Sequence, residues 1–470
     1  MGNIGNWPFY DIEISYNNCD YINLRNNISL GYYSRSFTVP NNYYQMQINM
    51  QYYDAYGRPI IMQHHHHHQN NFYNYDYYLK NYPYNKNNFF INNNNRQHFN
   101  QQNNENNNIQ QVEKYQKLGH LRGLVNIAST CYMNATLQCF AHVKELFAYF
   151  QKDHIRQLMN DPRNKEKLFP VFGELINCMW YQYDSSPLYP YIFKERLGKL
   201  NPLFQGAIPN DAKDLLTFLL MQLHEELNEP KNNNNNNNMN ANMIINQQNK
   251  KAMLDNFASD FKKNYRSIIS NLFYGLTYNQ TQCQFCKAII YNYQTFNFLI
   301  FPLAQVLNYK MQLVNFQNNY NNTVTLEDCF KYNQAITPLN DYYCNICKKT
   351  SNAQFANFIS VSPNIIIIIL NRGAGLQYKV KIDFEENLDL RNYVEYFKDK
   401  AFYELIGVVT HYGESGASGH FMARCKSPID GFWYLYNDAI IQKLEYFTKE
   451  NFLQGNPYIL FYKKTKFANK

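Results

Sequence analysis

At 470 residues the chain has room for two or three domains, or for one large domain with extensions. Its 43 Tyr and 34 Phe can fill a sizeable core, although only 17% of the residues are charged. The formal charge of +8 permits contact with an acidic partner, but no Lys/Arg-rich run is long enough to track phosphates, so no nucleic-acid partner is expected.

The opening MGNIGNWPFY lacks the basic start and apolar core of a secretory signal, and Asn6 stands where a myristoylation motif wants Ser or Thr. A soluble protein of the cytoplasm, the nucleus or both is expected, and there the ten cysteines serve as thiols or metal ligands rather than disulfides. Residues 1–117 are dominated by Asn, Tyr and Gln without a sustained helical or strand period. Such a tract cannot bury enough apolar surface to offset its ordering entropy, and it is expected to be largely disordered. The HHHHH run at 64–68 reads as part of that tract rather than as a metal site.

From 118 the character changes. GLVNIASTCYMNATLQCFAHV (123–143) predicts an amphipathic helix starting at Cys131, with Ser129 and Thr130 as N-cap residues and Met133, Leu137, Phe140 and Val143 on adjoining apolar faces. LFPVFGELINCMWYQY and DAKDLLTFLLMQLHEEL also carry apolar residues at helical spacing, and an Asn-rich insert at 231–250 follows the second. LHEELN has Asn228 where a zinc protease would have its second His, so it reads as a helix surface. Past about residue 270, β-rich runs dominate: CKAIIYNYQTFNFLIFPL, NFISVSPNIIIIIL, YELIGVVTHY, FWYLYND and YILFYKK. NIIIIIL at 364–370 is too short to span a bilayer and reads as a buried strand, so no membrane association is expected. Helices first and strands later predict an α+β domain with an antiparallel sheet over 118–466.

Cys131 falls in the first turn of its helix, where unpaired N–H groups and the positive end of the dipole favour a thiolate nucleophile. An ordinary buried thiol fits the same local pattern, so a partner base has to decide. THYGESGASGHFMARCKSPIDGFWYLYND supplies His420 after a Gly-rich loop, with Asn437 and Asp438 closing the next strand. A Cys–His pair with an Asn or Asp behind the imidazole is the thiol-protease arrangement. Cys139, further along the helix, lacks the helix-end advantage and is expected in the core.

These segments resemble the ubiquitin-specific proteases. GLVNIASTCYMNATLQCF is similar to their Cys box and YELIGVVTHYGESGASGHFMARCK…FWYLYND to their His box, while NDAKDLLTFLLMQLHEEL is similar to the QDAQEFL segment between the two. The resemblance covers essentially all of 118–466. It implies an α+β papain-like cysteine peptidase, with a helical thumb, an antiparallel β palm and a zinc-ribbon fingers subdomain at about 270–360. It implies a deubiquitinase that hydrolyses the isopeptide or peptide bond after the C-terminal Gly of ubiquitin, with ubiquitin or ubiquitinated proteins as partners and no catalytic cofactor. Carried across by position, Cys131 attacks, His420 acts as base and then acid, and Asn437 orients it, with Asp438 a second candidate. Asn126 then helps stabilise the oxyanion; a well-aimed neutral donor contributes about 3 kcal/mol, and a simple turn residue is the other reading.

Cys283 and Cys286 (CQFC) and Cys344 and Cys347 (CNIC) form two knuckles on β-type segments. Four thiolates suit a structural, tetrahedral Zn²⁺ with no place left for water. A redox-active pair is the alternative, although no βαβ context surrounds either knuckle. The resemblance places both knuckles in the fingers. Cys19, Cys178, Cys329 and Cys425 have no paired spacing and read as bystanders.

The resemblance further aligns Asp211 and Asp214 with acidic positions that hold the basic tail of ubiquitin, and His411 and Phe421 with the walls of its channel. Carboxylates are favoured at a helix start anyway, so capping is the other reading of both Asp residues. Ala128 departs from the usual Gly and costs energy if its turn needs positive φ. Pro209, Asn210, Leu215 and Phe421 depart as well, and the loop from His411 to His420 is one residue longer than usual. A weakly active or inactive ubiquitin-binding scaffold of the same fold is therefore the alternative.

Overall fold

The computed structural model describes residues 120–180, 186–229, 250–313, 322–415, 418–444 and 446–465, plus two short backbone pairings further upstream. Those pairings join Ile12–Ser15 to Tyr21–Leu24 and Tyr52–Tyr53 to Pro59–Ile60, where β-prone Ile and Tyr recur although no strand period is apparent. The remainder of 1–117, including HHHHH and Cys19, and residues 231–249 of the insert lie outside the described residues.

Among the described residues from 120 onward, eight helices come first: α1 Cys131–Ala141, α2 Lys144–Phe150, α3 Asp153–Asn160, α4 Leu168–Trp180, α5 Tyr191–Leu200, α6 Ala212–Leu227, α7 Lys250–Asn264 and α8 Ile268–Phe273. Their starts follow from local chemistry. Asp211 caps α6 by accepting from the Lys213 amide at 2.8 Å, and Ser267 opens α8 with a capping box, its hydroxyl accepting from the Ser270 amide at 3.0 Å.

The expected amphipathicity of α1 is not found: all eleven of its residues are buried. It runs between α4 and α6 on one side and the sheet on the other, so even its polar side chains face protein. They find partners there: Asn134 donates to Leu124 O at 3.2 Å, Thr136 to Tyr132 O at 2.8 Å and Gln138 to Arg122 O at 2.9 Å. His224, expected on a helix surface, is also buried. It bonds Ser267 Oγ at 2.6 Å and stacks on Tyr265, and burial lowers its pKa to about 4.

The β half contains two main sheets. The fingers sheet has the order β2-β1-β6-β5, built from β1 Gly275–Cys283, β2 Ile289–Phe296, β5 Thr337–Cys344 and β6 Lys349–Val361. Leu254 of α7 packs on Leu276, Tyr278 and Tyr293 of this sheet. The palm sheet runs β13-β12-β11-β10-β14-β7-β3, with β3 Leu299–Pro302, β7 Ile365–Asn371, β10 Phe402–Ser415, β11 Ser418–Lys426, β12 Trp433–Asn437, β13 Ile440–Leu444 and β14 Asn456–Lys464; the short β9 Asn387–Asp389 adds to β10, and β4 Thr323–Thr325 pairs separately with β8 Lys381–Asp383. It is antiparallel except at its edge, where β7 runs parallel to β3. The run of five Ile in β7 is wholly buried, as both faces of this strand are covered. Among the described residues no helix is long and apolar enough to cross a membrane. The site lies where the start of α1 meets β11 and β12.

Candidate active site

Cys131 is the first helical residue of α1 and only 8% exposed. The turn leading into it is left-handed twice over, with φ of 74° at Ala128 and 54° at Ser129. Neither Ser129 nor Thr130 caps the helix with its side chain. Asn126 Oδ1 accepts from the Thr130 amide at 2.9 Å instead, and Thr130 Oγ1 accepts from the Ile127 amide at 3.0 Å. The backbone turn thus aims Cys131 without the side-chain cap that its flanking sequence suggested.

His420 stands on β11 opposite Tyr412 of β10, and Asn437 ends β12. Nε2 of His420 donates to Asn437 Oδ1 at 2.7 Å, which fixes the tautomer and leaves Nδ1 for the thiol side. The neighbouring Cys131 thiol is the largest influence on the imidazole and raises its pKa to about 9; burial opposes this, and the bond to Asn437 and the Asp438 charge assist. Asp438, at φ 53°, accepts from Asn134 Nδ2 at 2.8 Å and from Asn126 Nδ2 at 3.0 Å, and its Oδ2 lies 3.7 Å from His420 Nε2. Its carbonyl accepts from the Leu124 amide at 3.0 Å. This close approach needs Gly123, where a Cβ would come within 2.7 Å of Ala439 O. The Cys and His boxes are therefore stitched together through Asp438, a residue sequence reasoning ranked second.

Beside this cluster lies a wall that joins Asp211, His411 and Phe421. His411 of β10 hydrogen-bonds the Tyr378 hydroxyl through Nδ1, and its ring lies 4.6 Å from that of Phe421. Phe421 sits 6.0 Å from Tyr458, whose hydroxyl donates to Asp211 Oδ2 at 2.8 Å. Asp211 thus caps α6 with one oxygen and faces this wall with the other. Burial lowers the pKa of His411. Asp214 is buried on α6, 3.6 Å from Lys213 Nζ, and desolvation raises its pKa to about 6 against the pull of Lys213. Tyr378 and Tyr458 were not foreseen: in a chain with 43 Tyr, no local pattern marks these two.

At the far end of the fingers, the sulfurs of Cys283, Cys286, Cys344 and Cys347 all lie within 4.8 Å of one another. Cys286 and Cys344 are 3.7 Å apart, close to the ~3.8 Å edge of a tetrahedron with ~2.3 Å metal–sulfur bonds. The four form a possible metal site. Lys287 and Lys348, each directly after a knuckle, have φ of 58° and 57°, so both knuckles close with the same left-handed residue. Elsewhere, Cys425 is no isolated thiol: it lies 3.8 Å from Cys139, both buried, at a sequence separation that hides the contact.

Residues 122–462 match the family model described as ubiquitin carboxyl-terminal hydrolase. The chain belongs to that family. It is 26% identical over 355 residues to ubiquitin carboxyl-terminal hydrolase 2 of Bos taurus, covering 73% of this chain and 55% of the relative. It is 25% identical over 382 residues to ubiquitin carboxyl-terminal hydrolase 4 of Saccharomyces cerevisiae, covering 72% and 39%. The chain thus spans about half the length, or less, of these curated relatives. Among solved structures, the SAGA Ubp8 deubiquitinase module bound to ubiquitin aldehyde superposes with a TM-score of 0.55 at 21% identity, over 75% of this chain and 71% of that one. This likeness establishes a ubiquitin carboxyl-terminal hydrolase fold.

Within this hydrolase family member, the departures noted in the sequence take definite places. Ala128 does occupy a left-handed turn, so the strain anticipated from replacing Gly is present, yet the turn has formed. Asn210 donates to Ile208 O at 3.0 Å just ahead of α6, and Leu215 of α6 is fully buried in the core. Phe421 keeps the ring that packs on His411 and lacks only a hydroxyl.

Proposed function

We propose that this hydrolase family member is a thiol-dependent deubiquitinase that cleaves the isopeptide or peptide bond after the C-terminal Gly of ubiquitin, with 118–466 as its catalytic region. The observation that carries the proposal is the meeting of Cys131, His420 and Asn437 from three separate segments, with His420 bonded to the Asn437 amide and influenced most by the Cys131 thiol. In this reading the Cys131 sulfur bonds to the scissile carbonyl carbon while its proton rests on His420. The Asn126 amide, with one N–H engaged by Asp438, keeps the other for the oxyanion, at a typical value of about 3 kcal/mol. His420 then gives its proton to the leaving amine as the C–N bond breaks, leaving a thioester. It next takes a proton from water, whose oxygen attacks the thioester and releases the carboxylate and the free thiol.

Asp211 and Asp214 would face the basic tail, with His411 and Phe421 restricting the passage to Gly. The left-handed turn at Ala128, already formed, supports an active enzyme over a binding-only scaffold. The four knuckle cysteines fit a structural Zn²⁺, which, when bound, cross-links the ends of β1, β5 and β6; no ligand place is open for chemistry there. Action in the cytoplasm or nucleus, where thiols stay reduced, belongs to the same reading.

The test is labelling of the full chain with ubiquitin propargylamide, alongside turnover of ubiquitin bearing a fluorogenic C-terminal leaving group. Wild type should react in both assays and Cys131→Ala in neither. Labelling that persists in Cys131→Ala would overturn the proposal.

A further inference from the structure

Lys194 on α5 is 4% exposed, and among the described residues no carboxylate pairs with it. Its Nζ donates to Phe204 O at 2.6 Å and to the Tyr132 hydroxyl at 3.3 Å. Burial lowers its pKa to about 8. A buried ammonium without a counter-charge is costly, and Leu or Met would fill the same volume without that penalty. What only a donor can supply here is the joining of three segments: α5, the 3₁₀ turn Pro202–Phe204, and the first turn of the nucleophile helix.

The chain beyond Phe204 leads directly to the tail channel. It passes Gly206 at φ 72° and the exposed Ile208 to reach Asn210, which donates to Ile208 O at 3.0 Å and stands near Tyr132, and then Asp211. The Tyr132 hydroxyl, one residue from Cys131, is thus tied to α5 by Lys194, with Asn210 in its neighbourhood. Two packing contacts accompany the tie. The rings of Tyr132 and Phe204 stack at 6.3 Å, and Gly198 of α5 lies so close to the turn that a Cβ there would meet Gln205 Cα at 3.1 Å.

We infer that Lys194 is a positioning residue for the reaction proposed above: it holds the 204–211 segment against the start of α1 and so sets where Asn210 and Asp211 stand along the channel. It touches neither substrate nor the reacting atoms. Its loss should weaken the grip on the ubiquitin tail while leaving the Cys131–His420 pair competent. The inference rests on the deubiquitinase reading for its kinetic arm only.

The experiment compares wild type, Lys194→Met, Lys194→Arg and Tyr132→Phe as full chains. For Lys194→Met we expect KM for ubiquitin with a fluorogenic leaving group to rise about tenfold with kcat within threefold, as for loss of uniform binding. Amide exchange over 203–210 should accelerate, and alkylation of Cys131 by iodoacetamide, which bypasses the channel, should stay within twofold. Lys194→Arg, which keeps donors and charge, should recover most of the KM effect. Tyr132→Phe, which removes only a hydroxyl, should shift KM and exchange in the same direction and decides the matter if Lys194→Met does not fold. Unchanged KM and exchange in the variants that fold would overturn the inference, as would alkylation falling in step with kcat. If wild type turns over no ubiquitin substrate, the functional reading fails, and exchange at 203–210 still decides the placement of the segment.

Discussion

Asp438 accepts a hydrogen bond from Asn126 across 312 positions of sequence, Oδ2 to Nδ2 at 3.0 Å. The bond orients the very amide proposed to receive the oxyanion, and Asp438 is itself anchored by Asn134 on the buried nucleophile helix at 2.8 Å. Asn126→Ala should therefore lower kcat by roughly 10²–10³, the usual loss for one oxyanion donor. Asp438→Ala should cost a comparable factor by freeing that amide to turn. The two effects should be strongly non-additive, with the double variant little worse than Asn126→Ala. Independent, multiplying losses in a double-mutant cycle would show that Asp438 acts through His420 instead.

Ala128 makes a separate test of the same turn. A left-handed non-Gly residue costs roughly 1 kcal/mol, so Ala128→Gly should raise the urea midpoint by an equivalent of about 1 kcal/mol. Because the turn is already in place, kcat for the ubiquitin substrate should change by less than about threefold. A gain of tenfold or more would mean that Ala128 holds the oxyanion site out of line and that the enzyme is naturally slow.

Much of this was legible along the chain, for a physical reason. Apolar spacing in LFPVFGELINCMW and the bare Ile run of β7 report burial that is already decided locally, and Cys131 does start its helix, although neither Ser129 nor Thr130 supplies the side-chain cap that pointed there. What stayed hidden depends on where distant segments meet. α1 carries Asn134, Thr136 and Gln138, which read as a polar face until the Asn126 turn and the palm sheet are seen to cover it. Lys194 and His224 look like surface residues for the same reason, and only tertiary contact gives their polar atoms partners. Asp438 ranked behind Asn437 because its bonds run to the other box, which no local pattern can display.

The fingers should contain a single tetrahedral Zn²⁺ per chain, measurable by native mass spectrometry. Cys283 and Cys344 are buried, while Cys286 and Cys347 are half-exposed. Cys344→Ser should therefore loosen the site from within, losing metal to a chelator at least tenfold faster than wild type and exposing amides of β1, β5 and β6 to exchange. Cobalt replacement should show the charge-transfer absorption of a four-thiolate site. A protein that retains full fingers protection after complete metal removal would show that the sheet holds itself together and that the knuckles do another job.

The pH profile separates binding from capping at Asp214. Burial raises its pKa from 3.8 to about 6, so the folded protein holds this proton more tightly than the unfolded chain. Its contribution to stability is therefore present below about 3.8 and is lost as pH rises through about 6. Binding of a basic tail runs the other way, because it needs the carboxylate. KM for the ubiquitin substrate should fall between pH 5 and 7, by about tenfold if the partly buried pair contributes ~1.4 kcal/mol. Asp214→Asn should leave KM high and flat over that window while slightly stabilising the fold at pH 7, since it removes a buried charge. If the variant instead reproduces the wild-type KM profile and loses stability, Asp214 serves the start of α6 and not the substrate.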